Sequence, residues 1–479
     1  MRPKLRLLDD ALIGRILDEA FSLLRSPGVR VGSPPVIELL QEAGVSVTDG
    51  VAQIREELVR HCLASVPPEF WLYNRAADPV VHYGGDDVHF DPGSSCVQIL
   101  DPDTLQARPS RTEDLVRLVQ VTETLSQFAA QATAMVCNDQ PSEIGDLYRL
   151  CVVLKNSDKP IVTGSFSAEG LPGMIDLLAA DAGGHERLRR RPRAVFDVCP
   201  SPPLNWSEFG AHNLLDLARA GVPAEIVSMP LAGAAAPVTL AGSITQHAAE
   251  CLAGIVIHQL AMQGAPIVWG GAPAIFDMRT GTTPMGAIET VMLNMGCAEV
   301  GKHLGLPTHG YLVATDSKLV DAQAGAESAR SAILGALSGI NMISGAGMID
   351  FLACHSIEKL VIDAESIASA RRLLAGIEPR AETLALAAFA ETGLSGEFLK
   401  LKETRALFRQ EQHIPSDVID RNSRTEVPAT DSFARARDRV VELLGQYQQP
   451  VIPEDVQREW SAIMDREAQR VGSSLIGKE

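Results

Sequence analysis

The amino-acid sequence predicts an α/β fold, a (β/α)8 or TIM barrel with a mixed N-terminal region and a helical C-terminal elaboration. Two observations predict it. Short apolar runs rich in Val, Ile and Met recur at Thr133–Asp139, Pro160–Phe166, Ala194–Pro200, Ala224–Leu231, Pro266–Gly271, Thr308–Thr315, Ile340–Gly347 and Leu360–Asp363, most of them separated by helical stretches. Runs apolar on both faces suit parallel strands covered by helices, because neither face meets water. Eight such units over roughly 250 residues match the count and length of a closed barrel. An open, doubly wound sheet is the competing arrangement. Against it, no Gly-x-Gly-x-x-Gly follows the first run and no Gly-Lys-Ser/Thr phosphate loop occurs.

Taken in order, residues 9–26 place Ile13, Ile16, Leu17, Ala20, Leu23 and Leu24 at helical spacing and stop at Ser26-Pro27-Gly28. Helices over 34–44 and 52–65 follow. Between 70 and 100, short strand-like runs alternate with Gly84-Gly85 and Pro92-Gly93 turns. Residues 1–128 are expected to pack on the main domain, residues 129–379 to form the barrel, and residues 380–479 to add charged helices near 397–411, 432–446 and 453–470.

Composition narrows the function. A net charge of −18 argues against a nucleic-acid partner, since phosphate neutralisation needs surplus Lys and Arg. The one basic run, Arg187 to Arg193, precedes an apolar strand and is expected to be a solvated helix end. Eight cysteines stand singly with no Cys-x-x-Cys pair, which fits reduced core thiols rather than disulfides or a zinc site. The N-terminus is charged and amphipathic, and no long uncharged apolar stretch stands out, so neither a signal peptide nor a membrane span is expected and the chain is expected to be cytoplasmic. Self-association is expected of a barrel of this size.

In a barrel of this kind the chemistry sits at the C-terminal ends of the strands. The richest loop there is Ala314 to Gly325, with Asp316, Lys318, Asp321 and Gln323 on one short segment. Asp321 is equally an N-cap for the helix that follows. Asn205 and Trp206 follow the third run, and Trp206 has a core-packing alternative. Phe166 and His355 complete the candidates, while Phe196, Phe276, Tyr311 and Phe351 are rings that core packing accounts for more readily. His-Glu-x-x-His and Gly-x-Ser-x-Gly are both absent, so metal catalysis and a hydrolase triad find no support.

These residues resemble a known family. Val227-Ser228-Met229-Pro230-Leu231-Ala232-Gly233, continuing through Pro237 to Leu240-Ala241-Gly242, is similar to the trimethylamine methyltransferase signature. So are Thr315-Asp316-Ser317-Lys318 with Asp321-Ala322-Gln323-Ala324-Gly325, Cys199 to Leu204, Gly345 to Met348 with Leu360 to Asp363, and Phe398-Leu399 with Lys402, Thr404 and Arg405. The similarity runs from about residue 8 to 470. It implies a (β/α)8 barrel and a methyltransferase whose corrinoid (cobalamin) is carried by a separate partner protein, with no cofactor bound tightly by this chain. No cobalamin-binding motif is evident.

One departure bears on substrate. Where archaeal members of the resembled family carry pyrrolysine, this sequence has Ala314, and Asn205 stands where the family has an acid. The resemblance therefore implies a donor that needs no covalent helper: a quaternary amine such as glycine betaine, which leaves as a neutral amine. Asp316 is expected to stabilise the cation and Gln323 to brace the loop. Asn205, Trp206, Phe166, Ala314, Lys318, Asp321 and His355 are expected to surround the substrate. Direct transfer to tetrahydrofolate and a non-catalytic betaine-binding protein are the alternatives.

Overall fold

The computed structural model describes residues 2–423 and 429–472, so parts of the expected C-terminal helical region, at 424–428 and 473–479, lie outside the described residues. The chain has an α/β fold. Eight short strands each precede a helix. They are β1 (His89–Pro92) before α1 (Thr112–Thr124), β2 (Gln131–Ala132) before α2 (Gly145–Asn156), β3 (Ile161–Gly164) before α3 (Leu171–Ala182), and β4 (Ala194–Val198) before α4 (Glu208–Ala220). Then come β5 (Ala224–Ser228) before α5 (Leu240–Ala261), β6 (Ile267–Gly271) before α6 (Ile288–His303), β7 (His309–Tyr311) before α7 (Ala322–Leu337), and β8 (Met342–Ala346) before α8 (Ile357–Leu374).

Strands β2 to β6 make one parallel sheet in sequence order, and β7, β8 and β1 make another. Trp269 and Thr308 form a parallel bridge between β6 and the start of β7. At the other edge the Ala129 N–H donates to the Phe90 carbonyl at 3.0 Å, linking the segment before β2 to β1.

Two of the expected strand assignments need correction: the strand expected at Thr133–Asp139 lies just before it, at Gln131–Ala132, and the last expected strand is absent. Leu360–Asp363 is not a strand but part of α8, where Lys359 and Asp363 pair at i, i+4 with 2.5 Å between Nζ and Oδ2. A four-residue apolar run cannot by itself separate a strand from a buried helix, and here α8 is covered on most of its surface. The eighth strand is instead β1, which comes from the first 128 residues and pairs with β8.

The main core lies between strands and helices and contains Ile161, Phe196, Trp269 and Ile343. A separate small core joins Val162 of β3, Val195 of β4, Val268 of β6 and Met342 of β8 to Leu72, Val81 and Tyr83. The last three belong to an antiparallel hairpin, Phe70–Tyr73 with Pro79–Tyr83. The faces turned away from the helices thus converge on one apolar plug. Helices Asp10–Arg25, Pro34–Glu42 and Glu56–Leu63 pack on α5. Helix α5 is long and apolar enough to cross a membrane, but it is buried in this structure over nearly its whole length. Of the C-terminal helices, Ser432–Gln446 packs on α8 and α1, and Glu454–Arg470 packs on α3. All eight cysteines are free thiols.

Candidate functional site

Side chains alternate along a strand, so the residue two positions after each plug residue points into the same interior. After Val162, Val195, Val268 and Met342 come Gly164, Asp197, Gly270 and Ser344. The lining changes within two residues from apolar to small or polar. Asp197 is only partly covered, as is Cys199 beyond it, whereas Phe196 and Val198 between them are buried against the helices.

Asp197 and Glu225 are direct register neighbours on β4 and β5, and their carboxyls interact. Burial is the first cause that raises both. Asp197 is pushed up to about 7, and Glu225 rises well above the usual carboxylate range through burial and then the nearby Asp197 and Asp91 charges. Tyr83 OH donates to Glu225 Oε2 at 3.0 Å, tying the hairpin plug to this layer. Glu225 Oε1 faces His309 Nδ1 at 3.3 Å, His309 Nε2 meets Ser344 Oγ at 3.0 Å, and Ser344 Oγ donates to Asp91 Oδ1 at 2.6 Å.

Burial holds His309 neutral, with a pKa of about 3, and raises Asp91 well above the usual carboxylate range. Nearby, Tyr311 OH accepts from the Ser94 N–H at 2.6 Å.

The Ala314 loop is braced from behind. Val313 has φ of +59°, a conformation costly for a β-branched residue. It is held by Ser331 Oγ on its N–H (3.0 Å) and by Ser328 Oγ (3.1 Å) and Lys359 Nζ (3.0 Å) on its carbonyl. Three groups on α7 and α8 thus fix the peptide that delivers Ala314, which is buried at the end of β7. Glu327 accepts from the Asp316 N–H at 3.0 Å and from Thr315 Oγ1, and Gln323 Nε2 donates to Glu327 Oε1 at 3.0 Å.

The other expected site residues divide. Asp316 is half-buried, and its Oδ1 accepts from Met285 N (2.7 Å) and Gly286 N (3.1 Å), so that oxygen pins two loops together rather than facing open space. Burial raises its pKa. Asp321 is the N-cap of α7, accepting from Ala324 N at 3.1 Å. Lys318 is exposed, with Nζ 4.0 Å from the Phe351 ring centroid and 3.5 Å from Asp350 Oδ1. Trp206 is a correction: it is fully buried, its Nε1–H donates to the Glu250 carbonyl at 3.2 Å, and its ring lies over Gly254 of α5. Asn205 pairs with Arg30 in a parallel strand contact. Phe166 is exposed on the loop after β3, 5.1 Å beneath the Arg149 guanidinium. His355 is buried over Gly347, whose φ of +85° and lack of a Cβ admit the ring, and burial lowers its pKa to about 3.

The residues missed by reading the sequence are Asp197, Glu225, His309, Asp91 and Ser344. Each except Asp91 is a polar side chain inside a mostly apolar run taken as a barrel strand. A charged residue in a strand buried on both faces was the available signal, since such a group is rarely buried without a reason.

Comparison with known proteins agrees with these elements. The trimethylamine methyltransferase (MTTB) family profile matches residues 1–472. The trimethylamine methyltransferase of Desulfitobacterium hafniense is 28% identical over 455 residues, covering 94% of this chain and 91% of that one. The corresponding Methanosarcina acetivorans enzyme is 30% identical over 458 residues, covering 93% and 91%. A glycine betaine methyltransferase of D. hafniense strain Y51 is 26% identical over 481 residues, covering 98% of each. Among solved structures, the monomethylamine methyltransferase of Methanosarcina barkeri superposes with a TM-score of 0.55 at 14% identity, covering 98% of this chain and 89% of that one, a likeness of fold.

Proposed function

The chain belongs to the trimethylamine methyltransferase family and is a methyltransferase; on that premise we propose that it takes a methyl group from a betaine-like quaternary amine and passes it to a corrinoid held by a partner protein. The two parallel sheets, bridged at Trp269–Thr308 and by the Ala129–Phe90 hydrogen bond, are read as one closed (β/α)8 ring. Its N-terminal end is read as stoppered by the hairpin and its C-terminal end as the side the donor enters. The observation that carries the proposal is the Asp197–Glu225 carboxyl pair on neighbouring strands, with Asp197 only partly covered.

The chemistry asks little of the protein beyond placement. A quaternary ammonium leaves as a neutral amine once a methyl is removed, so no acid or covalent helper is required. A cation in a dry cavity does need a counter-charge, because desolvation is costly. Asp197 supplies it, and Tyr311 adds a ring face at the upper edge. Ala314, fixed by the braced Val313 peptide, leaves room for the donor where a larger side chain would project. Holding the donor in one pose turns an encounter into an aligned displacement.

A Co(I) corrinoid on the partner supplies the nucleophile that accepts the methyl. The residues around the opening fit such a visitor: Phe166, Met229, Val238, Met278 and Leu319, on the loops after β3, β5, β6 and β7, are exposed apolar side chains. Contiguous exposed apolar surface is the mark of an interaction face. A second apolar surface, with Leu384, Leu386, Leu394 and Leu399 exposed near the C-terminus, supports association of two copies. The proposed setting is the cytoplasm, without nucleic-acid or membrane partners.

The test is turnover by purified protein with Co(I) cobalamin or tetrahydrofolate as acceptor and a donor panel of glycine betaine, carnitine, proline betaine and trimethylamine. Methyl transfer from a quaternary donor to cobalt supports the reading. Transfer from trimethylamine at a comparable rate, or transfer to tetrahydrofolate alone, defeats it.

A further inference from the structure

The basic run before β4 is the exposed end of a short helix at Arg187, Arg189, Arg190 and Arg191, but its last member, Arg193, is buried. Arg187 and Arg190 lie on the short helix His185–Arg190, Arg191 caps it, and Arg193 enters β4. Together with Arg75 they line a cleft of about 660 Å³ at the N-terminal ends of the strands, the end opposite to Asp197. Five guanidinium groups thus share one cleft in a chain whose net charge is −18.

One carboxylate, Asp181, lines the cleft, and it is already used. Its Oδ1 accepts from Arg75 Nε at 2.9 Å and its Oδ2 from Arg193 Nε at 2.7 Å. Arg75 also donates to Asp158 Oδ1 (2.7 Å) and to the Leu154 carbonyl (2.5 Å), so it is satisfied. Arg193 is not. It is 2% exposed, its Nη1 donates to the Asp158 carbonyl at 2.7 Å, and its Nη2 is buried without a partner. A buried charged donor left unpaired is costly, and such groups call for a ligand. Arg190 pairs with Glu186 at 3.0 Å, while among the described residues no carboxylate pairs with the exposed Arg187 and Arg191.

We propose that this cleft binds an organic phosphate of mononucleotide size, its phosphate groups reaching Arg193 Nη2 and the free guanidiniums of Arg187 and Arg191. Planar guanidinium forks match phosphate oxygens two at a time, which lysines cannot do. The volume lies within the range of small-ligand sites, and Tyr73, Ala182 and Val456 give one wall an apolar surface for the organic portion. The site is independent of the methyl-transfer reading, because it lies at the other end of the strands.

The experiment is calorimetric titration of the full-length protein at physiological salt with ADP, pyrophosphate, inorganic phosphate and adenosine. ADP or pyrophosphate is expected to bind and adenosine not to bind. The double variant Arg187→Ala/Arg191→Ala changes two exposed residues without ion pairs, so it should keep the wild-type melting temperature while weakening binding by about tenfold or more. Arg191→Glu should weaken it further. The proposal falls if no phosphate compound binds, if adenosine binds as well as ADP, or if the folded double variant binds as tightly as the wild type.

Discussion

The two ends of the same strands do different work. At the N-terminal end Val162, Val195, Val268 and Met342 meet Leu72, Val81 and Tyr83 in a buried apolar cluster. Two residues further along stand Gly164, Asp197, Gly270 and Ser344, small or polar, with Gly164 and Asp197 only partly covered. One end gains stability by burying apolar area. The other gives some of it up, because buried carboxyls with raised pKa values are costly to ionise. The change of lining over a single alternation separates the part that holds the fold from the part that faces a ligand.

The sharpest way to break this comparison is at its polar end. Replacing Asp197 by Asn removes the charge with little change of shape, and we predict that kcat/KM for a quaternary donor falls by about 10²- to 10³-fold, the scale of a lost charge-stabilising contact. Steady-state kinetics check it; a loss under about threefold, less than one hydrogen bond is worth, would remove Asp197 from the site. The apolar end should respond in the opposite sense. Leu72→Ala opens a cavity in the plug and is expected to cost about 2–5 kcal/mol of stability while leaving KM nearly unchanged. Denaturant unfolding and kinetics on the same variant decide whether the two ends are separable.

Stability and pH sharpen it further. Asp197 has a folded pKa of about 7, above its unfolded value near 3.8, so the folded state holds the extra proton between those values. Its contribution favours folding below the unfolded value and is lost as pH rises through the folded one. Asp197→Asn should therefore be more stable than wild type at pH 8 by about 1–3 kcal/mol, with the gap closing toward pH 4. Chemical unfolding at the two pH values checks it, and a gap that does not change with pH contradicts it. The smallest expected effect is at the join between the ends. Tyr83→Phe loses the hydrogen bond to Glu225 and should cost about 1–2 kcal/mol, read as a shift in the unfolding midpoint.

The same comparison explains what was legible in the sequence. The Ala314–Gln323 loop stood out because its polar residues are consecutive, yet consecutive polar residues also make caps and braces. In the structure Asp321 caps α7 and Asp316 ties down residues 285 and 286. Asp197, Glu225 and His309 were hidden for the reverse reason. Each lies in a mostly apolar run, and which face it occupies depends on the register of strands far apart in sequence. Six of the eight strands lie within the runs expected to form the barrel. β1 overlaps the strand-like run at 88–90 but was assigned to the N-terminal region, because its pairing with β8 joins segments about 250 residues apart. Leu360–Asp363 was misread because a helix covered on most sides shows the same apolar run as a strand.

The central claim, that the Asp197 carboxylate is the counter-charge for a cationic donor, can be measured without turnover. Glycine betaine is titrated into the protein near pH 7 in buffers of differing ionisation enthalpy, so that the observed heat reports protons exchanged on binding. The account predicts release of a fraction of a proton and affinity that strengthens as pH rises through about 7, the pKa of Asp197, with both effects lost in Asp197→Asn. Binding with no proton exchange between about pH 6 and 8, and equal in the variant, would contradict it.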